Sequence, residues 1–91
     1  MSAVSRTVLI TNKRGLHARA SAKFVTMASG LGTIVEVEKD GSKVVGTSIM
    51  GLMMLAASPG CCINVSANGR QAAEVMEALS ALIADKFGEG E

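Results

Sequence analysis

A stripe of apolar residues at helical spacing near the C-terminal end limits which folds this chain can adopt. Apolar side chains recur there at steps of three and four residues, with acidic ones on the other side: Ala72, Val75, Met76, Leu79, Leu82 and Ile83 against Glu74, Glu77 and Asp85. A helix with one apolar side needs a second layer of structure to cover it. The sequence therefore predicts a layered domain in which residues 72–83 lie on a sheet or on other helices.

Segments of alternating polarity predict that the second layer is a sheet. Residues 4–11 place Val8 and Ile10 on one side, and residues 33–38 do the same with Val35 and Val37. Asp-Gly at 40–41 predicts a hairpin into a short third strand at 43–46, and a fourth strand is predicted at residues 61–67. Helices are predicted at 18–29 and 49–55, and a third that begins with a capping-box-like pair, Asn68 and Gln71.

The predicted order is β-α-β-β-α-β-α, which indicates the α+β class. We expect an open-faced two-layer sandwich whose four-stranded, largely antiparallel sheet is covered on one face by three helices. At 91 residues the chain is one small domain, 1–91, and its 48% hydrophobic content supports a core even though Phe24 and Phe87 are its only aromatic residues.

The only histidine, His17, stands where the first helix is predicted to begin. Apolar residues at helical spacing follow it: Ala20, Phe24, Met27, Ala28 and Leu31. The helix is predicted to stop at Gly30, since glycine commonly ends helices. Residues two apart inside a helix point in nearly opposite directions. His17 and Arg19 can therefore converge on one ligand only if His17 occupies the N-cap.

Such a position favours an anion. The first turn leaves backbone N–H groups free around Ala18, Arg19 and Ala20, and Lys13 and Arg14 add positive charge. The same field disfavours imidazolium, so the ring of His17 should be neutral and nucleophilic near pH 7 and should tolerate a phosphoryl group. A lone histidine near a helix start is also commonly only a cap or a surface residue, and these residues by themselves leave both readings open.

Composition excludes several other kinds of site. One histidine, adjacent Cys61 and Cys62 and no CxxC spacing support neither a catalytic triad nor a metal site, and neighbouring cysteines in a strand do not easily form a disulfide. No charged segment followed by an apolar run opens the chain, and no apolar stretch is long enough to span a bilayer. We expect a reduced cytoplasmic protein with no direct membrane insertion.

An alternative hypothesis for the function is a small nucleic-acid-binding module, and the charge of the chain is evidence on it. Such a module would use the basic cluster Lys13, Arg14, Arg19 and Lys23. A net charge of +1 and the lack of surface aromatics for base stacking argue against nucleic acid as a partner. The charges are uneven, since Asp85, Glu89 and Glu91 make the C-terminal end acidic.

The short middle helix is apolar nearly all round. If Leu52 and Leu55 pack on the sheet, Ile49, Met50 and Met53 are left at least partly exposed, and methionine suits an adaptable docking surface. The alternative is a helix that is simply well buried. Ser48 stands at the predicted N-cap, which by itself accounts for a serine there, although a phosphate on it would bring negative charge to the patch.

Two segments of the chain resemble signatures of one known family. Residues 12–22, Asn-Lys-Arg-Gly-Leu-His-Ala-Arg-Ala-Ser-Ala, resemble the phosphorylation site of HPr, the histidine-containing phosphocarrier of the bacterial phosphotransferase system. Residues 47–52, Thr-Ser-Ile-Met-Gly-Leu, resemble the family's second signature, around its regulatory serine. The resemblance extends over essentially the whole chain, including its length and element order.

The resemblance implies a carrier rather than a free-standing enzyme, with no cofactor. His17 would accept phosphate on Nδ1 with help from Arg19, Enzyme I would donate it from phosphoenolpyruvate, and the A components would receive it. Ile49, Met50 and Met53 match the family's docking surface. Ser48 matches the serine that HPr kinase/phosphorylase modifies in those bacteria that possess it.

One position departs from the family's pattern. The family usually has proline where this chain has Ala20, and proline would fix φ and remove one free N–H in the first helical turn. Alanine fits the helix and leaves one more donor for a phosphate, so we expect a working but less preorganised site. The sequence leaves open whether the carrier serves sugar uptake or a nitrogen-related regulatory branch.

Overall fold

The computed structural model describes residues 3–29 and 32–89. Its strands and helices follow the predicted order and end in a single 3-10 turn: β1 Ala3–Leu9, α1 Ala18–Ala28, β2 Thr33–Lys39, β3 Ser42–Val45, α2 Ile49–Met54, β4 Cys62–Gly69, α3 Ala72–Ala84 and the turn Lys86–Gly88. The predicted fold class is therefore confirmed. In the described ranges, no helix is both long enough and apolar enough to cross a membrane.

The four strands form one antiparallel sheet in the order β1-β4-β2-β3. Strand β4 is central, and its Ile63 faces Val8 of β1 while its Val65 faces Val37 of β2. Alternate residues point to opposite faces of a strand, and in β2 and β4 the inward positions are mostly apolar and the outward positions mostly polar. The sheet consequently has one open face and one face that the helices cover.

The core lies between the sheet and the helices. It contains both aromatic residues, Phe24 and Phe87, together with the apolar stripe of α3, of which only Leu82 is partly exposed. On α1 the apolar residues Ala20, Phe24 and Ala28 of the predicted helical pattern are buried, whereas Met27 is 39% exposed. Leu31 and Gly30, the predicted end of this helix, lie outside the described residues.

The predicted cap of the last helix is wrong. Asn68 belongs to β4, where it pairs with Ala3 on one side and Ile34 on the other. Strand pairing on both sides outweighs the local capping preference of asparagine. The N-cap of α3 is instead Gln71, which has φ 58° and makes no side-chain capping bond.

A close contact between two loops sets where α1 begins. Leu16 N–H donates to Ala57 O at 2.9 Å, and Gly15 adopts φ +63° beside it. A Cβ at Gly15 would lie 2.2 Å from Ala57 O, so only glycine fits. The loop that carries His17 is thereby fixed to the segment before β4.

Candidate functional site

His17 is the N-cap of α1, as the sequence predicts. Its backbone is extended, with φ −76° and ψ −178°, and the first bond of the helix runs from Ser21 N–H to His17 O at 2.9 Å. The ring turns back onto the helix end, where Nδ1 accepts from Arg19 N–H at a long 3.3 Å. Its side chain is 22% exposed. His17 and the first turn of α1 therefore converge on one point at the protein surface.

The second ring nitrogen of His17, Nε2, contacts the carboxylate of Glu89. Hydrogen bonding to His17 is the main cause that lowers the pKa of Glu89, and Asn12 and Lys23 act in the same direction against partial burial. An ionised carboxylate only accepts hydrogen bonds, so the proton of the neutral ring lies on Nε2. Nδ1 then carries the lone pair that accepts from Arg19 N–H.

A cavity of about 360 Å³ opens beside the ring. Four cationic side chains and one carboxylate line it, with His17 and Gly88: Lys13, Arg14, Arg19, Lys23 and Glu89. Lys23 Nζ also donates to Phe87 O at 2.6 Å, which ties α1 to the C-terminal turn. Excess positive charge at a helix N-terminus suits a phosphate or another anion of similar size.

Comparison with known proteins supplies the family. Residues 4–85 match the family model described as PTS HPr component phosphorylation site. The chain belongs to the HPr family. It is 51% identical over 88 residues to the phosphocarrier protein HPr of Neisseria meningitidis serogroup A, an alignment that covers 97% of this chain and 99% of that one.

Solved structures of family members agree with the fold. The HPr of Thermoanaerobacter tengcongensis superposes with a TM-score of 0.88 at 47% identity, over 98% of each chain. The HPr of Bacillus anthracis gives 0.85 at 38% identity, over 91% of this chain and 99% of that one. Family membership supports a phosphocarrier role in the phosphotransferase system, and it implies interaction with other components of that system.

Helix α2 exposes the apolar residues that the sequence analysis singled out. Leu52 and Leu55 are buried, whereas Ile49 is 41%, Met50 69% and Met53 40% exposed. We call Ile49, Met50 and Met53 the α2 patch. Met54, which the sequence analysis did not place in it, is also exposed.

Ser48 is the N-cap of α2. Its hydroxyl oxygen accepts from Gly51 N–H at 3.0 Å, so the predicted capping role is confirmed. Within the described part of the chain, no cluster of three or more His, Cys, Asp or Glu side chains could hold a metal ion. Cys61 and Cys62 are both free thiols.

Two residues near His17 could not be predicted from sequence patterns. Glu89 stands out in the sequence only as part of an acidic C-terminal end, although it contacts Nε2 of His17 across 72 positions of sequence. Asn12, which donates to Glu89 Oε1 at 3.1 Å, was noted only as part of the resemblance. No local pattern indicates such a contact, because it depends on a turn at Lys86 and Phe87, two non-glycine residues with positive φ.

Proposed function

We propose that His17 is a phosphoryl carrier that takes phosphate from phosphorylated Enzyme I, ultimately from phosphoenolpyruvate, and passes it to A components of the phosphotransferase system. The observation that carries this proposal is the ring at the N-cap, whose Nδ1 accepts from Arg19 N–H while its Nε2 contacts the carboxylate of Glu89. The whole chain, 1–91, would act as one phosphocarrier domain in the cytoplasm. It would be a substrate of its partners rather than a free-standing enzyme.

The transfer step needs little beyond alignment. The Nδ1 lone pair attacks phosphorus in line, the bond between phosphorus and the Enzyme I donor group breaks, and the ring keeps its proton on Nε2. The Arg19 N–H now 3.3 Å from Nδ1 is then free to donate to a phosphoryl oxygen. Ala18 N–H, also ahead of the first helical bond, is a second backbone donor.

The side chain of Arg19 would stabilise the phosphoryl group during transfer. Arg19 is exposed and lines the cavity beside the ring. A guanidinium offers two parallel donors to phosphoryl oxygens, and its charge opposes the negative charge of the transferred group. Ala20 in place of proline leaves its N–H available in the same turn, at the expense of a less rigid helix start.

The α2 patch would be the docking surface for Enzyme I and the A components. An exposed cluster of two methionines and an isoleucine gives adaptable apolar contact to more than one partner. Ser48 caps the helix that carries this patch. Phosphorylation of Ser48 by HPr kinase/phosphorylase, in an organism that has the enzyme, would put about −1.5 to −2 charges beside the patch and weaken docking.

The decisive experiment is incubation with purified Enzyme I and phosphoenolpyruvate, followed by location of the phosphate. We expect one acid-labile phosphate on Nδ1 of His17, none on H17A, and full labelling of S48A as the matched control. Labelling of H17A, or an acid-stable phosphate elsewhere in the wild type, would contradict the carrier role.

A further inference from the structure

The C-terminal turn places Glu89 beside the ring of His17. Three successive residues of this turn have positive φ: 54° at Lys86, 55° at Phe87 and 75° at Gly88. Residues other than glycine rarely adopt this left-handed backbone region. Phe87 is fully buried in the core, and Lys23 Nζ donates to its carbonyl oxygen at 2.6 Å. We call residues 86–89 the strap. Core packing and Lys23 hold it in an unfavourable backbone conformation that turns the chain back over the site.

Asn12 holds the other side of Glu89. It is fully buried, and its Nδ2 donates both to Gly15 O at 2.9 Å and to Glu89 Oε1 at 3.1 Å. Its Oδ1 is buried and has no hydrogen-bond partner among the residues that the structure describes. A buried acceptor without a partner disfavours folding, so the contribution of Asn12 lies in what its two donated bonds hold in place.

We propose that Glu89 is a positioning residue for phosphoryl transfer, held on Nε2 of His17 by Asn12 and the strap. The proposal rests on the carrier function proposed above. When Nδ1 bonds to phosphorus and the donor's bond breaks, the ring retains its Nε2 proton and becomes positively charged. Glu89 faces that charge at the nitrogen opposite the phosphate. The negative charge of Glu89 stabilises the positively charged phosphorylated ring. Before transfer, its hydrogen bond with Nε2 keeps the ring proton on that nitrogen and away from Nδ1.

The charge of Glu89 is tested by E89Q, with E77Q as the matched control. Glu77 is also a carboxylate paired with a base, Arg6 at 2.9 Å, but it does not line the cavity at His17. In rapid-mixing transfer from phosphorylated Enzyme I, we expect E89Q to lower the rate at saturating donor about tenfold, the low end of the loss for carboxylates that orient a metal-bound histidine, with an unchanged half-saturating concentration. E77Q should match the wild type. Equal rates for E89Q and the wild type would overturn the proposal.

Ring nitrogen spectra separate positioning from mere folding. In 15N NMR at a pH where the ring is neutral, we expect wild-type His17 to be protonated on Nε2 alone, and E89A to show a mixture of both tautomers. A pure Nε2 tautomer in E89A would show that Arg19 N–H selects it without Glu89, and would overturn the positioning role.

The role of Asn12 is tested by N12L, which has similar volume and no amide. We expect N12L to slow transfer as much as E89A does, and the double variant N12L/E89A to be no slower than either, because the two residues act as one unit. Losses that multiply in the double variant would remove Asn12 from the proposal. Failure to find phosphate on wild-type His17 would defeat the carrier function itself, whereas a phosphorylated wild type with unaffected E89Q defeats only this inference.

Discussion

Helices α1 and α2 begin with the same local device. In α1 a ring nitrogen of His17 accepts from Arg19 N–H at 3.3 Å, and in α2 the hydroxyl of Ser48 accepts from Gly51 N–H at 3.0 Å. Neither helix has an acidic residue in its first turn. Backbone geometry alone therefore gives both helix starts free N–H groups and the positive end of a dipole.

What differs is the surroundings of the two helix starts. Four cationic side chains and the carboxylate of Glu89 surround His17, whereas Ser48 is followed by the exposed apolar residues Ile49 and Met50. The dipole contributes only about 0.3–1 kcal/mol at an exposed helix end. Two helix starts with the same backbone geometry therefore differ in charge, because α1 and the loop before it carry four cationic side chains and the C-terminal turn adds the carboxylate of Glu89.

The largest effect should come from removing the guanidinium that distinguishes α1. We expect R19A to slow transfer from phosphorylated Enzyme I about 100-fold, the low end of what the loss of one donor to a developing negative charge costs. The fold should be unaffected, since the Arg19 side chain is exposed. Rapid-mixing kinetics measures this, with R6A, which removes an arginine on β1, as control. An R19A rate equal to that of R6A would mean that the cationic surroundings do not distinguish the two helix starts.

A charge in the α2 patch should weaken docking. We expect M50E to lower the affinity for Enzyme I about tenfold, or about 1.4 kcal/mol, because the 69% exposed Met50 side chain would lie against apolar partner surface. Titration calorimetry with Enzyme I checks this. Ile34, 66% exposed on the open face of the sheet, provides the matched control I34E. If M50E binds as tightly as I34E, docking occurs elsewhere.

Loss of the Ser48 cap should act on stability and not on transfer. S48A removes the acceptor of Gly51 N–H, so we expect a loss of about 1 kcal/mol in the free energy of unfolding. For a domain of this size that lowers Tm by about 4–8 °C. Thermal unfolding measures it, and phosphorylation of His17 should proceed as in the wild type. A slower transfer by S48A at a temperature where it is folded would contradict this prediction, because it would show that the Ser48 cap also affects the reaction at His17.

The smallest effect concerns pH. The pKa of Glu89 is lowered in the folded protein, chiefly by its hydrogen bond to His17, so ionised Glu89 favours the folded state. This contribution is complete above the ordinary value of 4.5 and is lost as the pH falls through the lowered pKa. Urea unfolding should show wild type more stable than E89Q at neutral pH and a gap that closes in acid. A difference in unfolding free energy that does not change with pH would show that the ionised carboxylate is not stabilised by its contact with the ring.

The parts of the site that rest on local patterns could be predicted. Spacing located α1, and the geometry of helix starts placed His17 at the N-cap and Ser48 at the cap of α2. The alternation of Leu52 and Leu55 with Ile49, Met50 and Met53 predicted which side of α2 is exposed. Each of these inferences needs only the helical repeat and the unpaired N–H groups of a helix end.

Local patterns predict the structure poorly where local and long-range preferences compete. Asn68 has the chemistry of a helix cap, but pairing with Ala3 and Ile34 keeps it in β4. Met27 fits the apolar spacing of α1 yet is exposed, whereas Phe24 and Ala28 of the same spacing are buried. Propensity acts through neighbouring residues, and both outcomes depend on residues far away in sequence.

By itself, the sequence determined the fold class, the order of the elements and the histidine at the start of α1, because repeat spacing and capping chemistry are local properties. Tertiary structure alone decided that Glu89 lies beside His17 and Asn12. This approach requires a buried Phe87 and a left-handed turn at residues 86–88, which are stable only when the whole core has formed. Contacts across 72 positions of sequence follow from packing and leave no periodic pattern in the chain.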